Sequence, residues 1–251
     1  MKIFIKSPEE IESMRRGGKI LGLILNELGK FVAPGITTRD IEKRADELFE
    51  KYNVKPSFLG YKGFPSSICT AVNEEVVHGI PGDRVLKNND IISIDAGVFF
   101  EKLHTDSAIT VCIGNIAPEV KKFIATGEEA LSKAISIAHP SRNLNEISKV
   151  IHETLRDNGY APVKELTGHG VGRLLHEDPF VLNYIDHSAP DIILREGMTL
   201  AIEPIYSMGN GEIKTLSDHW TIVTRDNSLA AQIEHTIVIT ENGCEILTLR
   251  N

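Results

Sequence analysis

The sequence predicts an α+β fold built from a duplicated unit, two helices followed by antiparallel strands. Three observations carry that reading. Two capped helical stretches open the chain, and two more start near its middle. Each pair gives way to a strand-rich run, and helices and strands come in blocks rather than in strict alternation. The 251 residues are enough to bury a sizeable core. No Gly/Ser/Pro-rich linker interrupts them, so a single domain is expected, with two pseudo-symmetric halves at about 1–116 and 117–251.

The elements follow in order. Ser7-Pro8-Glu9-Glu10 is a helix start: Ser7 caps, Pro8 suits the first turn and Glu10 completes a capping box. Ile11, Met14, Leu21, Leu25 and Leu28 form one apolar stripe, which Pro34-Gly35 ends. Thr37 or Thr38 caps a second helix, with Ile41, Ala45, Leu48 and Phe49 inward, ending near Asn53. Between Pro56 and Gly114 the chain reads as loops and strands. Residues 91–96 and 107–113 are β-rich, and residues 97–106 are expected to form a hairpin connection. Pro118-Glu119-Val120 then opens a helix as Pro8-Glu9-Glu10 does 110 residues earlier. Asn143-Leu144-Asn145-Glu146-Ile147 caps a fourth, in the place that Thr38-Arg39-Asp40-Ile41 holds in the first half. Strands return around 198–203, 220–224 and 233–240.

Charge and cysteine usage narrow the function. The net charge of −8 gives no long-range positive field to gather nucleic acid, and no dense Lys/Arg run supplies one locally. No apolar run reaches the ~18 residues that a membrane-spanning helix needs. Cys69, Cys112 and Cys244 are too few and too scattered for a disulfide framework or a zinc knuckle, and read as reduced cytoplasmic thiols.

Carboxylates stand where strands usually exclude them. Asp95 lies inside Ile94-Asp95-Ala96-Gly97-Val98, and Asp106 precedes the alternation of Ile109, Val111 and Ile113. Glu203 follows Leu200-Ala201-Ile202, and Glu234 sits between Ile233 and His235. Strand alternation points Asp95 away from Ile92 and Ile94, and Glu234 away from Ile233, Ile237 and Ile239. With helices on one face, the acids share the other. Unpaired, each would cost several kcal/mol or take up a proton. Two divalent ions would cancel the charge of about −4. His169, in Thr167-Gly168-His169-Gly170-Val171-Gly172, is the candidate nitrogen donor, in a loop whose glycines permit close approach. The pattern alone leads to a metal site and does not choose a reaction.

The order Asp95, Asp106, His169, Glu203, Glu234 resembles the five-ligand dimetal centre of the type I methionine aminopeptidases. The surrounding motifs are similar too: Val77-His78-Gly79-Ile80-Pro81, Ser93-Ile94-Asp95-Ala96-Gly97, His104-Thr105-Asp106, Gly168-His169-Gly170-Val171-Gly172, Ile202-Glu203-Pro204 and Gln232-Ile233-Glu234-His235-Thr236. The likeness runs from about Ser7 to Val238 and implies the duplicated pita-bread fold. It implies two divalent ions (Co, Mn, Fe or Zn), with Asp95 on one, Asp106 and Glu234 bridging, and His169 and Glu203 on the other. The implied activity is hydrolytic removal of N-terminal methionine from nascent polypeptides with a small second residue, by a water that the metal pair activates. Glu203 would shuttle the proton, His78 and His176 would hydrogen-bond the substrate and the tetrahedral intermediate, and Tyr61, Phe64, Cys69 and Trp220 would wall the methionine slot. A cytoplasmic monomer with transient ribosome contact goes with it.

Leu175, where many relatives carry an aromatic, and His219, where Gly is common, bear on the pocket's width; Ala96 stands where Val is common. The rival Xaa-Pro dipeptidases share fold and ligands but normally carry an extra N-terminal domain, whereas here the first helix begins at Ser7. A catalytically dead binding module of the same fold would be expected to have lost ligands. Gly168-x-Gly170-x-Gly172 lacks the spacing of a nucleotide loop, and His176-Glu177-Asp178-Pro179-Phe180 is not the zincin motif.

Overall fold

The structure is a computed structural model describing residues 2–250. Of the four helices, three start where their capping boxes place them and one on a proline. In α1 (Pro8–Phe31) the Ser7 hydroxyl accepts the Glu10 N–H while the Glu10 carboxylate accepts the Ser7 N–H. Thr37 and Asp40 repeat that box at α2 (Thr38–Lys51), which settles the choice between the two threonines. α3 (Pro118–Ser136) opens on its proline, and α4 (Leu144–Asp157) on an Asn143–Glu146 box.

The strands depart from expectation in two places. Ile91–Phe100 and Leu103–Cys112 run further than their apolar cores suggest. The connection expected over 97–106 shrinks to Glu101 and Lys102, both left-handed (φ 48° and 71°), as a two-residue mirror-image turn requires. The run expected over 233–240 starts at His235 instead: Ile233-Glu234 lie outside it and connect His235–Thr240 to Ala230–Gln232, a strand of a different sheet.

Ile91–Phe100 lies at the centre of a four-stranded sheet, pairing with Lys55–Pro56, Ile68–Val72 and Leu103–Cys112. A five-stranded sheet runs Gly243–Ile246, His235–Thr240, Thr199–Ile202, Thr167–Gly170, Glu177–Leu182. Every ladder is antiparallel. α1 and α2 bury Leu21, Leu25, Ile41 and Leu48 against Ile92, Ile94, Ala96 and Val98. α3 and α4 bury Phe123, Leu131, Ile147 and Ile151 against Leu200, Ile202, Ile237 and Ile239. The odd-numbered face around Asp95 is thereby left turned away from α1 and α2.

A polar seam joins Leu103–Cys112 to the segment around Glu234. Glu234 N–H donates to the Ala108 carbonyl at 3.0 Å, and Ser107 Oγ donates to the Glu234 carbonyl at 2.7 Å. Asp106 N–H donates to Thr236 Oγ1 at 2.9 Å, and that hydroxyl donates back to the Asp106 carbonyl at 2.7 Å. No helix among the described residues is long and apolar enough to cross a membrane.

α1 crosses the C-terminal segment at Gly18 and Gly22, where a Cβ would meet the carbonyls of Leu247 and Leu249. Replacing Gly by Ala inside an open helix gains about 1 kcal/mol. At Gly22 the sign reverses: Gly22→Ala is expected to lower the unfolding free energy by roughly 1–3 kcal/mol in urea melts. A stabilised variant would contradict this packing.

Candidate metal centre and substrate cavity

A cavity of about 300 Å³ is lined by all eleven residues singled out from the sequence: Tyr61, Phe64, Cys69, His78, Asp95, Asp106, His169, His176, Glu203, Trp220 and Glu234. Strand register brings the acids together. Cys69 pairs with Asp95, Asp95 with Ala108, and Gly97 with Asp106, and cross-strand partners share a face. Gly97 leaves the space opposite Asp106 open, and a Cβ there would run into Ser57 and Phe58.

His169 lies in a strand, Thr167–Gly170, where the sequence suggested a loop. It pairs with Ala201, two residues before Glu203, so ring and carboxylate come out on one side. Its Nδ1–H donates to the Gly170 carbonyl at 2.8 Å. That bond puts the remaining lone pair on Nε2, which faces Glu203 Oε1 at 3.6 Å and Asp106 Oδ2 at 3.9 Å. Burial pushes this imidazole down to about 4, so at neutral pH it is an acceptor among acceptors.

The carboxylates are 1–8% exposed. Burial raises Asp95 to about 7. Asp106, Glu203 and Glu234 are held well above the usual range, by burial first and then by the charge of their neighbours. Asp95 Oδ1, Asp106 Oδ1 and Glu234 Oε1 are buried without a hydrogen-bond partner. Ligand atoms of Asp106, His169 and Glu234 all lie within 4.8 Å of one another. Orphaned carboxylate oxygens around a fixed imidazole lone pair fit a divalent cation with mixed O/N ligation.

Gln232 appears in the sequence motifs without an assigned role. Its Nε2 donates to Asp95 Oδ2 at 3.3 Å and Glu203 Oε2 at 3.2 Å, holding the two carboxylates in register. A Gln two residues before a strand acid carries no pattern of its own, so only the fold reveals this bridge.

The rest of the cavity is apolar. Phe58, Phe64, Cys69 and Leu175 are buried together, with Tyr61 and Trp220 packed against them. Trp220 meets Phe64 edge-on at 5.1 Å. Tyr61 stacks on His176 at 5.2 Å, its hydroxyl 3.0 Å from His176 Nδ1, and the His176 ring lies 4.2 Å from that of His169. Burial lowers His176 to about 3 and also lowers His78, so both are neutral at pH 7. Leu175 lines the cavity, but His219 is exposed on a left-handed turn (φ 65°) outside the lining, which removes it as a determinant of the pocket's width.

Comparison with known proteins identifies the family. The model for metallopeptidase family M24 matches residues 12–241. Methionine aminopeptidase 1 of Bacillus subtilis is 46% identical over 247 residues, covering 98% of this chain and 99% of that one. The crystal structure of methionine aminopeptidase from Thermotoga maritima superposes with a TM-score of 0.96 at 44% identity, over 99% of this chain and all of that one. A prolidase from Pyrococcus horikoshii, at 24% identity and a TM-score of 0.78 over 98% of this chain and 64% of its own, shares the pita-bread fold alone. The chain therefore belongs to metallopeptidase family M24, among its methionine aminopeptidases.

Proposed function

We propose that this chain removes the N-terminal methionine from peptides and nascent polypeptides by metal-dependent hydrolysis, favouring a small second residue. One observation carries the reading: a narrow apolar slot ends at a buried cluster of carboxylates around one imidazole. Its volume of about 300 Å³ is at the low end for ligand sites. Tyr61, Phe64, Cys69 and Trp220, with Phe58 and Leu175, wall a methionine side chain, whose sulfur suits aromatic neighbours.

Asp95, Asp106, His169, Glu203 and Glu234 would hold two divalent ions (Co, Mn, Fe or Zn), and such ions would supply activation of a water and polarisation of the scissile carbonyl. Glu203 takes the proton of the attacking water and delivers it to the leaving amine. A Tyr61 O–H donated to His176 Nδ1 leaves the His176 proton on Nε2, ready to donate to the developing oxyanion. His78 hydrogen-bonds the substrate backbone. The ligands divide between two pseudo-symmetric halves, about 1–116 and 117–251. Asp95 and Asp106 come from the first, and His169, Glu203 and Glu234 from the second. The enzyme acts as a cytoplasmic monomer that meets the ribosome only transiently. Three free cysteines and the net charge of −8 support that setting.

Glu203→Gln is expected to lower kcat on Met-Ala-Ser by about 10²–10⁴; steady-state kinetics near the parent's would refute the proton-transfer role. Removing ions with a chelator should lower Tm, and adding a divalent ion should restore it. Asp106→Asn should lose that response, yet melt above the parent in chelator because one repelling carboxylate is gone. An unchanged ion response in Asp106→Asn would contradict the ligand set.

The pH dependence has a definite sign. Burial raises Asp95 to about 7, and burial with mutual repulsion holds Asp106, Glu203 and Glu234 well above the usual carboxylate range, against about 4 in the unfolded chain. Between those values the ion-free native state binds more protons than the unfolded state, so the carboxylates destabilise it increasingly as pH rises. Protons compete with the ions for the same ligands. The Tm difference between ion-loaded and chelated protein should therefore widen from about pH 5 to 8. A gap that narrows would overturn the assignment.

A further inference from the structure

His176 is followed directly by Glu177, whose side chain is fully buried and paired with the equally buried Lys6, 171 residues away. Lys6 belongs to the extended segment that precedes α1. Glu177 does two things at once. Its Oε1 accepts the Leu174 N–H at 2.9 Å, and its Oε2 takes the Lys6 ammonium. Leu175 and His176, both in the cavity wall, lie between the two residues so tied.

The N-terminal segment is fastened to the same turn elsewhere. Arg173 reaches Glu10 with two nitrogens at 2.6 and 2.8 Å, and Lys2 N–H donates to Asp178 Oδ2 at 2.6 Å. Lys6 N–H donates to the Gly197 carbonyl at 2.9 Å. Gly172 lies so close to Lys6 that a Cβ would meet its side chain. Stability alone does not call for a charged pair here, because well-packed apolar side chains of similar volume hold as well or better. A salt link does fix direction: the carboxylate has one orientation that serves both Leu174 and the ammonium.

We propose that the Lys6–Glu177 ion pair is a positioning device for His176, through which the segment before α1 sets where that imidazole meets the substrate. The inference rests on the reading of His176 given above. Lys6 and Glu177 touch neither substrate nor ions; they act through the turn that carries the ring. A displacement of about 1 Å of a catalytic group is enough for a large loss in rate.

The test is a double-mutant cycle on the ion-loaded, full-length enzyme, with Met-Ala-Ser as substrate. In the parent background Lys6→Met and Glu177→Gln should each lower kcat about tenfold or more, while KM changes less than about twofold, because the contact that suffers is made in the transition state. In a His176→Ala background the same substitutions should cost less than about twofold. Lys6→Arg keeps the charge and should restore most of the rate. The divalent-ion titration midpoint should not move in any of them. Glu177→Gln, nearly isosteric, keeps the test open if Lys6→Met fails to fold. Equal losses in both backgrounds, or folded variants with parental kcat, overturn the proposal. A His176→Ala enzyme with parental kcat would instead refute the role of His176, and the inference with it.

Discussion

Four carboxylates occupy one sequestered volume; among the described residues the His169 ring is the one side chain within ion-pair distance of them, and Arg250 is a single cation acting on Glu234. That ring is itself held neutral by burial. Charges so placed would be driven out to solvent or protonated if nothing cancelled them. The rest of the molecule can be understood as the scaffold that makes this arrangement unavoidable. Apolar faces of the strands are spent on α1 and α2 or on α3 and α4, so the alternate positions have only each other to face. Divalent cations of the kind the family uses would turn this repulsion into ligation, and would bring hydrolytic chemistry to the end of an apolar slot.

The candidate ligands come from distant stretches, so their relative placement depends on the seam that joins them. Backbone and hydroxyl groups carry it: Glu234 is clamped through its own N–H and C=O to Ala108 and Ser107, and Asp106 through both backbone groups to Thr236. Arg250 adds a buried guanidinium that donates to the carbonyls of Ala108 and Glu234 at 2.8 and 2.5 Å. Because these bonds use the main chain, the carboxylate side chains keep their oxygens free. Gln232 is the exception: one amide nitrogen spaces Asp95 from Glu203. Rigidity at the candidate ligands and a neutral, ring-stacked His176 beside them are the two kinds of preorganisation that the proposed hydrolysis would use.

The helices were legible because their starts are local: Ser7, Thr37 and Asn143 cap by contacts within three residues. The acids were legible because a carboxylate inside a β-branched run breaks a strong local rule. What stayed hidden depends on long-range packing. His169 is flanked on both sides by glycine, which does not announce a strand; Gly168 and Gly170 pair where the Ala201 and Asp178 backbones press against them. The long hairpin was hidden by Glu101 and Lys102, which take left-handed backbone without the glycine or asparagine that usually signals it. Gln232 and the Lys6–Glu177 pair show the same limit, since partners 29 to 171 residues apart leave no spacing to read. His219, singled out because it stands where Gly is common in the family, is exposed on a left-handed turn outside the pocket.

The account stands on anionic side chains that give up protons to receive cations. The most direct measurement is calorimetric titration of the chelated protein with a divalent ion near neutral pH, repeated in buffers of different ionisation enthalpy, which counts both ions bound and protons released. The account predicts saturable uptake of about two ions per chain accompanied by net proton release, because the empty site holds protons on its carboxylates. Uptake without proton release, or no saturable uptake at all, would contradict it.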